Sequence, residues 1–238
     1  LASNVTDNDV STGKVKHIQF EGDEGVKSSI PAEKAMSQYG DVILAYQMNG
    51  EDIPRDHGYP LRLIVPGHVG IRNIKWVKNI KVSTEEAEGT WQRGISYKGL
   101  PHYVKDAKQV NIDKIAAIQE LPVQSCIVEV NKNKDIINVK GFAWSGGGRG
   151  IIRVDVSVDG GKSWKLSELK QGSEQPLNKA WAWTFWEANF NTDEIKNSTK
   201  EFVCKATDAS YNVQPEKLEH AWNIRGLNNN SWFKYIYK

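Results

Sequence analysis

Cysteine is scarce: Cys126 and Cys204 are the only two in 238 residues. That excludes a disulfide framework, and no zinc-type ligand spacing accompanies either one. Two unbonded thiols are expected, since free cysteine usually packs as a small hydrophobe. No uncharged apolar run is long enough for a membrane span, which needs ~18 residues or more. The formal net charge is only +2, so no polycationic surface is available for nucleic acid, and any anion must be held by a local cluster. No signal-peptide or transit-peptide pattern is present. The chain opens at Leu1 rather than Met, as a processed product or fragment would, so its compartment is not readable there. A phosphate-binding P-loop is missing too. Gly160-Gly161-Lys162-Ser163 lacks it because Val156 stands where the motif needs glycine, and Gly146-Gly147-Gly148-Arg149 runs into a strand pattern rather than a helix. Both glycine strings read as turns.

What is present suits a folded protein of two modest domains: 39% hydrophobic and 25% charged residues, with nine tryptophans. His17 to Phe20 reads as a strand. Ile30 to Met36 reads as a short helix with proline in its first turn and Ser29 as N-cap. Asp41 to Tyr46 reads as a buried strand ending in a turn at Asn49-Gly50. Residues 98–118 lack periodicity and read as a linker. After Leu121 the texture changes. Ile152, Val154, Val156 and Val158 alternate with polar residues, a half-buried strand that ends in a hairpin turn at Asp159-Gly160-Gly161. Ile136 to Phe142 and Glu201 to Thr207 are further strands. Short strands without a long helical pattern predict an all-β sandwich in the second half. The sequons at Asn4, Asn197 and Asn229 matter only in a secretory compartment.

From His57 to Thr84 there is no acidic residue, while Arg62, Arg72, Lys75, Lys78 and Lys81 fall there with His57 and His68. Interleaved proline and glycine place these groups on loops, the composition of a pocket for an anionic ligand. The same charges also suit a solvated face.

Several strings carry a resemblance. Leu44-Ala45-Tyr46-Gln47-Met48-Asn49-Gly50, Pro54-Arg55-Asp56-His57-Gly58-Tyr59-Pro60, Val65-Pro66-Gly67 and Ile74-Lys75-Trp76 resemble the molybdopterin domain of eukaryotic sulfite oxidases and the related assimilatory nitrate reductases. Gly141 to Arg149, Lys179 to Trp183, Tyr211 to Pro215 and Trp222-Asn223-Ile224-Arg225-Gly226 resemble the dimerisation domain of the same superfamily. The resemblance implies an α+β chain: a partial mixed α/β molybdopterin domain at 1–110, then an immunoglobulin-like sandwich at 111–238, with the boundary between Lys108 and Glu120.

By that resemblance, His57 and Arg62 match positions that bind the pterin cofactor and its phosphate. Asn73, Ile74 and Lys75 match a stretch whose backbone and lysine also hold it. Tyr97 matches a tyrosine at the substrate pocket, after a loop one residue longer than the family's. Arg225 matches an arginine that the dimerisation domain contributes to the sulfite pocket, where nitrate reductases tend to carry methionine. The implied cofactor is molybdenum-molybdopterin. The implied reaction is oxygen-atom transfer that oxidises sulfite to sulfate, with a nitrate reductase fragment or a non-catalytic dimerising remnant as alternatives. The implied partners are a second copy of the chain, and cytochrome c or an upstream haem domain as electron acceptor. The implied location is the mitochondrial intermembrane space. One departure stands out. The family's molybdenum-ligand cysteine lies upstream of everything matched here, and Cys126 and Cys204 match no such position, so the chain reads as the C-terminal part of the enzyme.

Overall fold

The computed structural model describes residues 5–196 and 200–237; the sequon residues Asn4 and Asn197-Ser198-Thr199 lie outside them. The chain divides into two compact units, Leu1–Glu120 with Asn223–Leu227, and Leu121–Trp222 with Asn228–Lys238.

The first unit contains α1 (Asp7–Ser11), β1 (His17–Gly22), β2 (Lys27–Pro31), α2 (Ala32–Met36), β3 (Ile43–Ala45), β4 (Gln47–Met48), β5 (Glu51–Asp52), β6 (Arg62–Ile64) and β7 (Val77–Ser83). Its main sheet is antiparallel, in the order β2-β1-β7. Alternation along β1 turns Ile18 and Phe20 inward, where they pack with Ile30, Leu63, Val65 and Ile74. Two expectations are corrected here. Ser29 is not an N-cap: it belongs to β2, its hydroxyl accepts the Ala87 amide at 2.9 Å, and Pro31 precedes the helix. The apolar run at 41–46 is not buried either. Only three of its residues form β3, and Ile43, Leu44 and Tyr46 are exposed. An apolar run alone does not say whether a second layer covers it. The Asn49-Gly50 turn is as expected, with both residues at positive φ between β4 and β5.

Residues 98–118 are not a loose linker. They lack strands but are packed: Leu100 and Val104 are buried, and Lys98 is buried with its ammonium on the Ile115 carbonyl at 2.8 Å. Periodicity reports regular elements, and a segment built from isolated turns shows none while still being folded.

The second unit contains β8 (Gln124–Asn133), β9 (Ile136–Trp144), β10 (Ile151–Ser157), β11 (Lys165–Leu166), β12 (Glu168–Leu169), β13 (Thr184–Asn191), α3 (Thr192–Lys196), β14 (Glu201–Asp208), α4 (Leu218–Ala221) and β15 (Phe233–Ile236). Two four-stranded sheets, β11-β10-β14-β15 and β12-β13-β9-β8, form a sandwich. Val139, Val154, Val156, Trp186, Phe190, Phe202 and Ala206 fill its core. The expected alternation in β10 breaks at its start. Pairing with β14 shifts register between Ile151 and Arg153, so Ile151 is buried and Ile152 faces solvent. After Val158, Asp159 accepts the amides of Lys162 at 3.0 Å and Ser163 at 2.9 Å, and the chain then returns as β11. A carboxylate occupies that turn, which is the opposite of an anion cradle.

Trp186 is fully buried and pairs across the sheet with Gly141. A Cβ at Gly141 would lie 2.0 Å from the Cys126 carbonyl oxygen and 2.3 Å from the indole. Gly141→Ala is therefore expected to destabilise this unit by about 3 kcal/mol, the upper end of ordinary overpacking, read as a fall in urea midpoint. The two cysteines are unbonded. Cys204 is buried beside the Ser125 hydroxyl at 3.3 Å, and burial pushes its thiol up to about 12. Alkylation of the native protein should modify Cys126 and spare Cys204. In untreated protein, denaturation without reductant should expose both thiols, and detection of fewer than two would contradict this.

Candidate cofactor and substrate site

In the first unit, three side chains reach back to one short turn. Arg55–His57 form a single turn of 3-10 helix that ends at Gly58 with φ of 114°. Each of its carbonyls accepts from one side chain: Trp76 Nε1 donates to Arg55 O at 2.8 Å, Lys75 Nζ to Asp56 O at 2.6 Å, and Arg62 Nη1 to His57 O at 3.0 Å. Gly58 permits the approach, because a Cβ there would sit 3.0 Å from Arg62 Cβ and 3.1 Å from Lys75 Cβ. The outcome is a compact group of His57, Arg62 and Lys75, with the Lys75 ammonium 4.8 Å from the Trp76 ring centroid. His57 is half exposed and only 4.0 Å from the exposed Asp56 carboxylate, a contact worth little in solvent. Arg62 has its Nε buried without a partner, and burial lowers the pKa of its guanidinium. A buried donor left unpaired costs free energy that an anion bound there would recover.

Asn73 and Ile74 lead into this group by different means. The Asn73 side-chain oxygen accepts the Val65 amide at 2.7 Å, so it fastens the Val65–Gly67 turn. Ile74 is a core residue whose carbonyl accepts the Leu63 amide at 2.8 Å. Tyr97 ends the 3-10 turn Ile95–Tyr97. Its ring meets Trp91 edge-on at 6.2 Å, and its hydroxyl has no hydrogen bond among the described residues. Arg225 stands on a turn built by Asn223, whose side-chain oxygen accepts the amides of Arg225 at 3.1 Å and Leu227 at 3.2 Å. Its side chain is exposed, with no hydrogen bond or ion pair among the described residues. His57, Arg62 and Lys75 thus come together, with Asn73 and Ile74 behind them. Tyr97 and Arg225 stand on separate turns of the same unit, and no hydrogen bond joins either to that group.

The basic segment does not converge on one pocket. Lys78 pairs with the exposed Asp23 at 3.2 Å. Lys81 faces a groove of about 550 Å³ that it shares with Glu21, Glu85, Glu86 and Glu88. Arg72 is wholly buried. His68 is buried with Nδ1 unpaired, and desolvation, aided by Lys34, lowers its pKa to about 4.

Residues 111–238 match the family described as the Mo-co oxidoreductase dimerisation domain, and residues 3–91 match the oxidoreductase molybdopterin binding domain. This chain belongs to the Mo-co oxidoreductase dimerisation domain family. It is 44% identical over 230 residues to the mitochondrial sulfite oxidase of Mus musculus, covering 92% of this chain and 41% of that protein. It is 36% identical to the NADH nitrate reductase of Lotus japonicus, covering 92% of this chain and 26% of that one. Among solved structures it resembles the sulfane dehydrogenase SoxCD of Paracoccus pantotrophus, with a TM-score of 0.72 and 28% identity, over 93% of this chain and 54% of that one. The chain therefore spans less than half the length of the mouse protein.

The donor set fits a pterin phosphate: an orphaned guanidinium Nε and a lysine ammonium stand on either side of a glycine turn. No set of three or more histidine, cysteine or carboxylate groups able to hold a metal ion occurs among the described residues. Two residues of the site escaped sequence reading. Trp76 was part of a matching string, but its role in tying down Arg55 O needed the positive φ of 50° seen in the structure. Gln92 gave no signal at all, and it is fully buried against Arg72.

The depressed His68 pKa has a sign. The unfolded chain binds this proton near pH 6.5, and the folded chain only near pH 4. Stability from this residue is complete above about pH 6.5 and declines as pH falls toward 4, because the unfolded state binds more protons there. His68→Gln should flatten the melting temperature against pH across that window; an unchanged slope would contradict the assignment.

Proposed function

We propose that this chain is the C-terminal part of a sulfite oxidase. Residues 1–110 belong to its molybdopterin domain and 111–238 form its dimerisation domain. The observation that carries the reading is the group of His57, Arg62 and Lys75 on the Arg55–His57 turn, in which Arg62 keeps a buried donor unused. Arg62 and Lys75 hold the cofactor phosphate through charge-assisted hydrogen bonds. His57 and the backbone of Asn73 and Ile74 complete that contact. The bound molybdenum–pterin group supplies the two-electron oxygen-atom transfer, in which sulfite and water give sulfate, two electrons and two protons.

Arg225 binds the oxyanion. Its unpaired fork can place two parallel bonds on two oxygens, which lysine cannot copy. The free Tyr97 hydroxyl donates a hydrogen bond to the same ligand. Arginine rather than methionine at 225 favours sulfite over nitrate, as does the higher identity to a sulfite oxidase than to a nitrate reductase. The protein works as a two-fold homodimer, joined through the sandwich domain that matches the dimerisation family. It resides in the mitochondrial intermembrane space, with cytochrome c or a haem domain as electron acceptor.

The test uses the full-length, cofactor-loaded protein. Sulfite should reduce an electron acceptor with stoichiometric sulfate release, and nitrate should not be turned over. Arg225→Met should raise the sulfite KM by about a hundredfold, the loss of a charged bidentate contact, with molybdenum content unchanged. Sulfite kinetics unchanged in that variant would remove Arg225 from the substrate site. Turnover of nitrate in preference to sulfite would overturn the whole reading.

A further inference from the structure

Arg72 is fully buried, yet no carboxylate touches its guanidinium among the described residues. Its donors end on neutral acceptors instead. Nε and Nη2 both reach Ile118 O, at 3.1 and 2.8 Å. Nη1 reaches Trp91 O at 3.2 Å, Ser28 Oγ at 2.9 Å, and Gln92 Oε1. The nearest anion enters at one remove: Gln92 Nε2 donates to Glu86 Oε1 at 2.8 Å. Desolvation lowers the guanidinium pKa to about 10, with Glu86 and the Tyr97 phenol acting the other way. Burying a charge on such terms is costly unless its hydrogen bonds are complete. A hydrophobic residue would fill the space at lower cost.

Two of those acceptors lead to Tyr97. The Ile118 amide donates to Tyr97 O at 2.8 Å, so Arg72 grips the peptide next along from the one that holds the tyrosine backbone. The Trp91 carbonyl that Arg72 holds belongs to the residue whose ring packs edge-on against the Tyr97 ring. Arg72 itself directly precedes Asn73, Ile74 and Lys75. The segment from Glu85 to Ile118 has no strand; a single antiparallel bridge, Lys98 to Ala117, pairs the backbone on either side of Tyr97 and Ile118, and Arg72 fastens that bridge to the Asn73–Lys75 stretch.

We infer that Arg72 is a positioning residue: it sets Tyr97 in a fixed place relative to the Asn73–Lys75 stretch by clamping the Trp91 and Ile118 carbonyls. The role of Tyr97 toward substrate rests on the proposed function; the clamp itself does not. One side chain links the part of the fold that binds the cofactor to the part that presents the phenol. A change at Arg72 then acts on substrate binding with no contact to substrate, and it leaves cofactor retention to Arg62 and Lys75.

The experiment is amide hydrogen exchange on the full-length, cofactor-loaded protein, with steady-state sulfite kinetics alongside. In the unaltered protein, the Ile118 amide and residues 91–99 should be protected as strongly as β1. In Arg72→Lys, which keeps the charge and loses the fork, exchange in 91–99 and at Ile118 should rise at least about tenfold. Protection of β1 and β2 and the molybdenum content should stay level. The sulfite KM should rise about tenfold with kcat changed less than about threefold. Ser28→Ala, which removes one Nη1 acceptor and leaves the bonds to the Trp91 and Ile118 carbonyls in place, should move both readouts far less than Arg72→Lys. Three results overturn the inference: local opening of 91–99 in the unaltered protein well before β1, unchanged protection in Arg72→Lys, or an equal effect from Ser28→Ala. Since the unaltered protein supplies the first of these, a variant that does not fold leaves the inference open to refutation. Failure to oxidise sulfite in the unaltered protein instead counts against the proposed function, with the exchange pattern still testing the clamp.

Discussion

Ile118 O receives two hydrogen bonds from the guanidinium of Arg72, and the irregular part of the first unit depends on that arrangement. Strands satisfy their own backbone groups by pairing; a long stretch without strands must find partners elsewhere. From Glu85 to Ile118 turns and the bridge between Lys98 and Ala117 supply part of that pairing, and side chains supply more. Ser29 Oγ accepts the Ala87 amide, Gln92 bridges Arg72 to Glu86, Arg93 donates to Glu86 O at 2.8 Å, and Lys98 caps Ile115 O. Long cationic side chains are suited to this because each combines an apolar stem that packs with a head that carries several donors. The same device recurs around the Arg55–His57 turn, where Arg62, Lys75 and Trp76 each take one carbonyl. Loops held in this way are rigid without being regular, which is what positioning a ligand requires.

The second unit is stabilised differently. Its two sheets pair their backbones strand to strand, and its core is apolar, from Val139 and Val154 to Trp186 and Phe202. Its one buried carboxylate among the described residues is fully engaged. Asp208 is wholly buried and takes bonds from Ser145 at 2.7 Å, Arg149 at 3.1 Å and the Asn212 side chain at 2.9 Å. Those bonds offset a burial that pushes its pKa upward, and the net shift is down. Here the cation meets a carboxylate, so the pair is neutral as a whole and leaves no field for a ligand. In the first unit the buried and half-buried cations meet carbonyls, which are dipoles, and their charge is not cancelled. That contrast supports the proposal of an anion site at Arg62 and Lys75 in the first unit.

How much of this was legible depended on the type of signal. The sandwich was, because alternation in β9 and through most of β10 follows directly from one buried face per strand. The exception, Ile152, came from a register shift that no local pattern records. The run of 41–46 misled for a related reason: hydrophobicity shows what would gain from burial, and not whether anything covers it. In the basic segment, counting charges merged unlike roles. Arg62 and Lys75 do gather on one turn, whereas Arg72 lies in the core and Lys78 and Lys81 face the other way along β7 toward carboxylates. Charge is read from residue type, but its destination depends on which neighbours desolvate it. The stretch 98–118 showed the converse, since side-chain-to-carbonyl bonding leaves no periodic trace.

Arg225 brings these strands of reasoning together. It comes late in the chain, after every strand of the sandwich but β15, yet the stretch Asn223–Leu227 is grouped with the first unit. The Asn223 side chain holds the turn by accepting the Arg225 and Leu227 amides and donating to Leu227 O at 2.6 Å. Asn223 and the Gly226 amide, which donates to Asn223 O at 2.9 Å, complete the turn, and the exposed guanidinium has no hydrogen bond among the described residues. Arg72 and Arg225 thus divide two uses of one side chain. Where every donor finds an acceptor in the fold, the fork is a brace, and its rigidity is its function. At Arg225 the turn is held by Asn223 and the side chain makes no hydrogen bond or ion pair among the described residues, which supports the proposal that its fork takes a pyramidal oxyanion.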